Sequence, residues 1–227
     1  MTNPFEAGEV LLINKPLNWT SFDVVRKVRN LVRTKKVGHA GTLDPLASGL
    51  LIICTGKFTK RINEFMASEK EYTGSFTLGA RTPTFDLESE PQDFKDCKSL
   101  SREALFEATR PFTGEILQVP PMHSAIKKGG TRVYELARQG LEVALEPRKV
   151  LVKEFELTQI QVPLVYFRVV CSSGTYIRSL ANDYGQALGC GAYLSQLCRT
   201  RIGKNLVDDS MTIEEAEAYI RQTLSGL

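Results

Sequence analysis

The chain has few of the residues and segments that indicate a metal site, redox chemistry or insertion into a membrane. It holds two histidines, one tryptophan and five cysteines in 227 residues, and no two cysteines form a CxxC pair. An odd number of scattered cysteines argues against a disulfide framework or a zinc site and is typical of a reducing compartment. No run approaches the roughly 20 apolar residues of a membrane span, and no signal-peptide apolar region follows the N-terminus. We therefore expect a soluble, cytoplasmic protein without a metal and without a membrane partner.

Charge is unevenly distributed, although its total is small. The net charge is +3, so overall charge does not identify a nucleic-acid-binding protein. Residues 26 to 36 nevertheless hold six cations and no acid, whereas acidic residues gather at 86 to 96 and 208 to 217. The basic run is either a solvated helix face or a surface that contacts nucleic-acid phosphates.

Hydrophobic periodicity predicts a mixture of strands and helices. Strands are predicted at 9–14, 50–54, 72–78, 148–160, 164–171 and 191–201. Helices are predicted after Thr20, at 101–109, from a Thr175 cap to a Gly189 stop, and at 212–223. Thr20 and Asp23 have the spacing of a capping box, and the polar, acidic residues 82–99 predict a long surface loop. Hairpins with irregularly placed helices favour an α+β fold.

The run from Gly38 to Gly49 concentrates residues suited to chemistry. It contains three glycines, His39 and an aspartate, Asp44, that precedes Pro45. Proline disfavours the α region for the residue before it, and the glycines permit unusual backbone angles and close approach of a ligand. A carboxylate held rigidly on such a loop suits catalysis. The structural alternative is an Asx turn, in which Asp44 only bonds its own backbone.

Several motifs in order carry a family resemblance. The run GHAGTLDPLASGLLIICTGKFTK, residues 38 to 60, resembles the catalytic motif of the TruB family of bacterial tRNA pseudouridine-55 synthases. Further motifs of that family are matched, in the family's order, at 11–16 with 20–23, at 70–72 with 78–82, at 120–127 with 134–140, and at 171–178 with 189–192. Together they extend from residue 9 to residue 203.

The resemblance implies both a fold and an activity. The fold would be that of a pseudouridine synthase, an α+β domain with a mixed, mostly antiparallel sheet, flanking helices and an active site in a central cleft. We expect one catalytic domain over 1–227, with a helical tail at 203–227 and without the family's usual C-terminal RNA-binding domain. The activity would be isomerisation of uridine 55 in the T-loop of tRNA, with no cofactor. The partner would be the T-arm stem-loop, bound by a monomer that needs no protein partner.

The matching positions also imply site residues. Asp44 would be the catalytic carboxylate, acting either as a nucleophile at C1′ or as a base at C2′. His39 would fill the space left by the flipped-out base, and Tyr72 would stack on that base, although a strand tyrosine is otherwise most often a core residue. Arg178 would pair with Asp44 and keep it ionised. Tyr176 and Leu197 would line the same pocket.

Other positions are less sharply assigned. Lys15, beside Pro16, resembles a lysine that supports the active site, but phosphate contact and plain surface exposure are alternatives. His123 either packs beside Pro120 and Pro121 or touches RNA. Phosphate contacts that give salt-dependent RNA affinity are expected at Lys35, Lys36, Lys57, Lys60, Lys127, Lys128 and Arg132. Two other functions stay open: a guide-dependent relative that modifies other RNA, and an RNA-binding or tRNA-folding module.

Overall fold

The computed structural model describes residues 3–124, 127–128, 131–133 and 144–226. The strands are β1 (Val10–Lys15), β2 (Val37–His39), β3 (Ala47–Thr55), β4 (Lys70–Leu78), β5 (Gly114–Gln118), β6 (Lys127–Lys128), β7 (Thr131–Arg132), β8 (Arg148–Gln161), β9 (Leu164–Cys171), β10 (Ala192–Ile202) and β11 (Asn205–Leu206). The α-helices are α1 (Pro4–Ala7), α2 (Ser21–Val32), α3 (Ile62–Ala67), α4 (Arg102–Glu107), α5 (Ile177–Ala187) and α6 (Ile213–Ser225). Short 3₁₀ turns lie at Gly56–Arg61, Arg110–Phe112 and Val207–Asp209.

One compact unit contains the residues up to Thr73 and those from Leu197 onward. Here β1 and β2 run antiparallel to β3, β3 runs parallel to β10, and β11 closes antiparallel on β10. The strands are covered by α2 and α6, whose buried faces meet in a core that also includes Phe5, Leu11 and Ile13. Pairing of β3 with β10 joins segments about 150 residues apart in the chain.

Helix α2 begins where the sequence predicts. The Thr20 hydroxyl accepts the Asp23 N–H at 3.0 Å, and the Asp23 carboxylate accepts the Thr20 N–H at 2.9 Å, so the predicted capping box is confirmed. The basic face of α2 is partly neutralised, because Arg26 pairs with Asp23 at 2.7 Å and Lys27 with Glu217 of α6 at 2.5 Å. The first part of the basic run is therefore an ion-paired helix face.

The other compact unit runs from Gly74 to Gln196. Its strand order is β4-β9-β8-β5, with β8 and β9 forming the predicted antiparallel hairpin and β5 antiparallel to β8. Aromatic rings fill its core: Phe76 stacks on Phe167 with ring centroids 4.2 Å apart, and Phe155 and Tyr184 pack at their edges. Strands that pair mostly antiparallel, together with helices, confirm the α+β fold class.

The prediction that Thr175 caps helix α5 is wrong. Helix α5 has Tyr176 at its N-cap, and no side chain of the capping residue bonds the first turn. Instead, the Gln118 amide oxygen accepts the Tyr176 N–H at 2.8 Å, and the Gln118 amide nitrogen donates to the Tyr176 carbonyl at 3.0 Å. A buried glutamine from β5, far away in sequence, fixes the start of this helix. At the other end Gly189 stops the helix as predicted, with φ of 76°.

Smaller differences occur elsewhere. Helix α4 ends at Glu107, two residues earlier than predicted, and Pro111 lies in the following 3₁₀ turn. Cys54 and Cys171 are completely buried in strands β3 and β9, where they pack as small apolar residues. Within the described residues, no helix is long and apolar enough to cross a membrane. Over the same ranges, no group of three or more His, Cys, Asp and Glu side chains could hold a metal ion.

Candidate active site

Asp44 lies in the short loop that joins β2 to β3, and it is partly exposed. The backbone on both sides of it is fixed by α2 and the turn before α2. The buried Ser21 hydroxyl accepts the Leu43 N–H at 2.8 Å and donates to the Leu43 carbonyl at 3.1 Å, while the Asn18 N–H donates to the Pro45 carbonyl at 2.8 Å. The loop therefore offers a carboxylate that solvent or a substrate can reach, on a backbone that is held from outside the loop.

Arg199 of β10 holds the same loop from another direction. Its guanidinium donates from Nε to the Leu50 carbonyl at 2.8 Å, from Nη2 to Gly41 at 3.1 Å and from Nη1 to Thr42 at 3.4 Å. The residue is only 1% exposed. Sequence reasoning missed it, because Arg199 and Arg201 alternate in one strand and nothing local marks which of them is buried.

Lys15 is the last residue of β1 and lies opposite the first part of β3. In the sheet register, Lys15 of β1 lies opposite Gly49 of β3, and Arg199 of β10 lies opposite the same glycine on the other side. The two cations are therefore on the two strands that flank Gly49. Lys15 is completely buried and donates from Nζ to the carbonyls of Pro16, at 2.9 Å, and Trp19, at 2.6 Å. Burial lowers its pKa to about 8, opposed by the Asp44 carboxylate and reinforced by the charge of Arg199. The expected alternative of plain surface exposure is therefore wrong, and the role of Lys15 in supporting the active site stays a prediction.

Three other predicted residues belong to the same unit. His39 ends β2 and is half-buried; burial lowers its pKa, a hydrogen bond with the Gly41 backbone raises it, and the Arg199 charge lowers it further. On balance the pKa of His39 lies below its ordinary value, which favours the uncharged imidazole. Tyr72 is buried in β4, and the half-buried Leu197 of β10 pairs with Ala47 at the start of β3.

Arg178 and Tyr176 belong to the second unit. Arg178, in the first turn of α5, is 4% exposed; its Nε lies 3.6 Å from Asp86 Oδ2 and its Nη2 donates to the His123 carbonyl at 2.8 Å. Nη1 donates to the Thr84 carbonyl at 3.3 Å. Asp86, which sequence reasoning also missed, is a buried acid in the predicted surface loop. Asp44 and Arg178 belong to different units, and their pairing stays a prediction.

The expected RNA contacts are distributed over both units. Lys35, Lys36, Lys57 and Lys60 are exposed, and the Gly56 N–H donates to the Lys36 carbonyl at 2.8 Å, which brings their two segments together. Lys127 and Lys128 form β6, which pairs with Arg132 and its neighbour in β7. The motif at 134–140 lies outside the described residues. Thr84 bonds Ser89, at 2.7 Å between hydroxyls, so part of the loop at 82–99 is locally braced.

Known proteins resemble this chain over nearly its whole length. A tRNA pseudouridine synthase B from Flavobacterium johnsoniae is 50% identical over 221 residues, covering 92% of this chain and 96% of that protein. One of the same name from Parabacteroides distasonis is 49% identical, covering 97% and 96%, and one from Chlorobaculum tepidum is 46% identical, covering 97% and 94%.

Solved structures agree with this likeness. A chain in a crystal structure of a Cbf5-Nop10-Gar1 complex superposes with a TM-score of 0.74 at 29% identity, covering 98% of this chain and 57% of that one. A chain of an archaeal box H/ACA sRNP Nop10-Cbf5 complex gives a TM-score of 0.70 at 25% identity. Residues 29–177 match the model of the TruB family pseudouridylate synthase N-terminal domain. The chain therefore belongs to the TruB family of pseudouridylate synthases.

Proposed function

We propose that this protein isomerises uridine 55 in the T-loop of tRNA to pseudouridine, with Asp44 as the essential carboxylate. The observation that carries the proposal is the loop between β2 and β3, which presents a partly exposed aspartate on a backbone held by Ser21, Asn18 and Arg199. The choice of tRNA rests on relatives near 50% identity that are named tRNA pseudouridine synthase B.

The reaction needs a carboxylate and little else from a side chain. The bond from ribose C1′ to uracil N1 breaks, the base turns, and C1′ joins C5; the proton on C5 is lost and N1 gains one. No electrons are exchanged with another molecule, so the uridine only rearranges. Asp44 acts either as a nucleophile at C1′ or as a base at C2′, and both roles require an ionised oxygen that reaches the sugar.

The target base must leave its stack before Asp44 can reach the sugar. Unstacking costs a few kcal/mol, which the protein offsets by filling the vacated space and gripping the base. A half-buried imidazole whose pKa is lowered by burial suits insertion among bases better than a contact with phosphate. Tyr72 stacks on the extruded uracil, Leu197 and Tyr176 line its pocket, and Arg178 pairs with Asp44.

Phosphate contacts supply most of the affinity in this proposal. The exposed lysines before and after the catalytic loop, at positions 35, 36, 57 and 60, follow the backbone of the stem. A stem-loop suits this arrangement, because a duplex presents phosphates while its unpaired loop bases can be splayed out. The protein acts on tRNA in the cytoplasm, as a monomer and without an obligate protein partner.

The test is site-resolved pseudouridine mapping on an unmodified tRNA transcript treated with wild-type protein or with Asp44→Asn. We expect one pseudouridine at position 55 with the wild type, and a rate at least about 10³-fold lower with the variant. A transcript with cytidine at position 55 is the substrate control, and thermal melting with RNA binding establishes that the variant is folded. Modification at another uridine, or an active Asp44→Asn protein, would contradict the proposal.

A further inference from the structure

The structure assigns a positioning role to Arg199: we propose that its guanidinium holds the β2–β3 loop in the conformation that presents Asp44 to the substrate. This inference rests on the proposed function, since it takes Asp44 as the reacting carboxylate. Arg199 is 1% exposed and therefore acts through the loop rather than by touching RNA.

The contacts of Arg199 bracket Asp44 along the chain. Nη2 and Nη1 bind the Gly41 and Thr42 carbonyls, which precede Asp44, and Nε binds the Leu50 carbonyl, which follows it. All three nitrogens of one planar group are thus used, and they tie the first part of the loop to strand β3, into which the loop leads. A shift of the loop relative to that strand would move the carboxylate between them.

Local packing allows the guanidinium to reach these carbonyls. Gly49 pairs with Arg199 and has φ of 102°, and a Cβ at that position would lie 2.7 Å from the Arg199 backbone nitrogen. Strands β3 and β10 therefore approach closely here only because residue 49 has no side chain. At the far end of the contact, Gly41 has φ of 96°, which turns the chain beside the guanidinium.

Stability alone does not explain a buried arginine at this place. Removing a guanidinium from water costs several kcal/mol, and an apolar side chain of similar volume often stabilises a core as well or better. Three carbonyl acceptors orient a backbone without neutralising the charge. The guanidinium presents donors on three nitrogens in fixed directions within one plane, whereas the three donors of lysine share a single nitrogen on a flexible stem. Orientation of the loop is the purpose that this geometry serves best.

The experiment compares Arg199→Lys and Arg199→Met with Arg201→Lys and Arg201→Met. Arg201 is a matched control two residues along the same strand, where it pairs with Glu69 at 2.9 Å at the partly exposed surface. Pseudouridine formation is followed in single turnovers with enzyme in excess, so that the rate constant and the amplitude are obtained separately. A misplacement near 1 Å costs about 100-fold in rate, so Arg199→Met should lose at least that much. Arg199→Lys should lose less, and the Arg201 variants should stay within about twofold.

Two readouts separate positioning from simple stabilisation. A structural role would lower the melting temperature or the amplitude, whereas a positioning role lowers the rate constant of the folded enzyme and leaves RNA affinity unchanged. A wild-type rate constant in folded Arg199→Met would overturn the proposal. Hydrogen exchange of amides near Asp44 needs no activity: it should quicken in both Arg199 variants and in neither Arg201 variant. Unchanged exchange would overturn the proposal even if the RNA substrate has been misassigned.

Discussion

At the scale of single residues, two arginines of β10 show that the same residue type can hold a backbone at one position and form a surface ion pair at another. Arg199 and Arg201 occupy one strand with a single threonine between them, yet Arg199 is buried and donates to two loop carbonyls and to one carbonyl of β3. Arg201 pairs with Glu69 and Glu71, at 2.9 and 3.6 Å, where both partners are partly exposed. The first contact fixes a backbone, and the second is an ordinary ion pair of small net effect.

Lys15 gives a prediction about pH. Its pKa is lowered from 10.5 to about 8 in the folded protein, mainly by burial. Between those two values the unfolded chain keeps a proton that the folded protein has released, so Lys15 makes the free energy of unfolding rise with pH. We expect the difference between wild type and Lys15→Met, measured by urea denaturation, to move in favour of the wild type from about pH 7 to about pH 10. A difference that is constant over that range would contradict the buried ammonium.

Asp86 gives a prediction about stability. It lies 3.6 Å from the Arg178 guanidinium, and both side chains are 5% exposed. Asp86→Asn keeps the acceptor for the Glu88 N–H but removes a negative charge beside a buried cation, which should cost about 3 kcal/mol in the free energy of unfolding. Asp93→Asn is the control, since Asp93 pairs with Arg81 at the surface and should cost less than about 1 kcal/mol. If thermal or urea unfolding showed that the two variants lose the same free energy of unfolding, the prediction for Asp86 would be contradicted.

At the scale of elements, helix α2 connects the fold to the loop. Its cap, Thr20, is followed by Ser21, whose hydroxyl makes two hydrogen bonds with the Leu43 backbone. Helix α6 begins with the same kind of capping box, in which Thr212 accepts the Glu215 N–H at 3.2 Å, but the residue after that cap, Ile213, contributes to the core instead. The two helices therefore differ in what their first turns hold.

This difference allows a paired experiment. Thr20→Ala and Thr212→Ala should each lower the free energy of unfolding by about 1 kcal/mol, because each loses one N-cap. Only Thr20→Ala should also slow pseudouridine formation, since fraying of α2 releases Ser21 from the loop. Activity is measured well below both melting temperatures. Equal activities of the two variants would show that the start of α2 does not position Asp44.

At the scale of the whole molecule, the exposed lysines should determine how binding depends on salt. Replacing Lys35, Lys36, Lys57 and Lys60 by glutamine should weaken RNA binding and flatten the slope of log K against log salt, by about 0.9 per lost duplex phosphate contact. A filter-binding titration measures this slope. Lys149→Gln with Lys204→Gln is the control, because both lysines are exposed and lie away from the catalytic loop in sequence. An unchanged slope in the fourfold variant would exclude these lysines as phosphate contacts.

A related prediction concerns Lys127 and Lys128, which form β6 in the second unit. Reversal of both to glutamate should weaken binding and reduce its salt dependence more than neutralisation would, because repulsion is added to the lost attraction. The same titration with both glutamines separates the two effects. Identical slopes for wild type and the glutamate pair would remove these lysines from the RNA interface.

The sequence by itself determined whatever depends on neighbouring residues. The capping box of α2, the β8–β9 hairpin and the Gly189 stop follow from local spacing and backbone preference, and motif order carried the TruB family assignment. Only the tertiary structure decided which polar residues support the loop. Arg199 binds the carbonyl of Gly41, which lies 158 residues away in the chain. Gln118 binds the backbone of Tyr176, 58 residues away, and takes the place of the expected Thr175 cap of α5. Such bonds exist because strands distant in the chain pair in a fixed register, and no local pattern records which strands will pair.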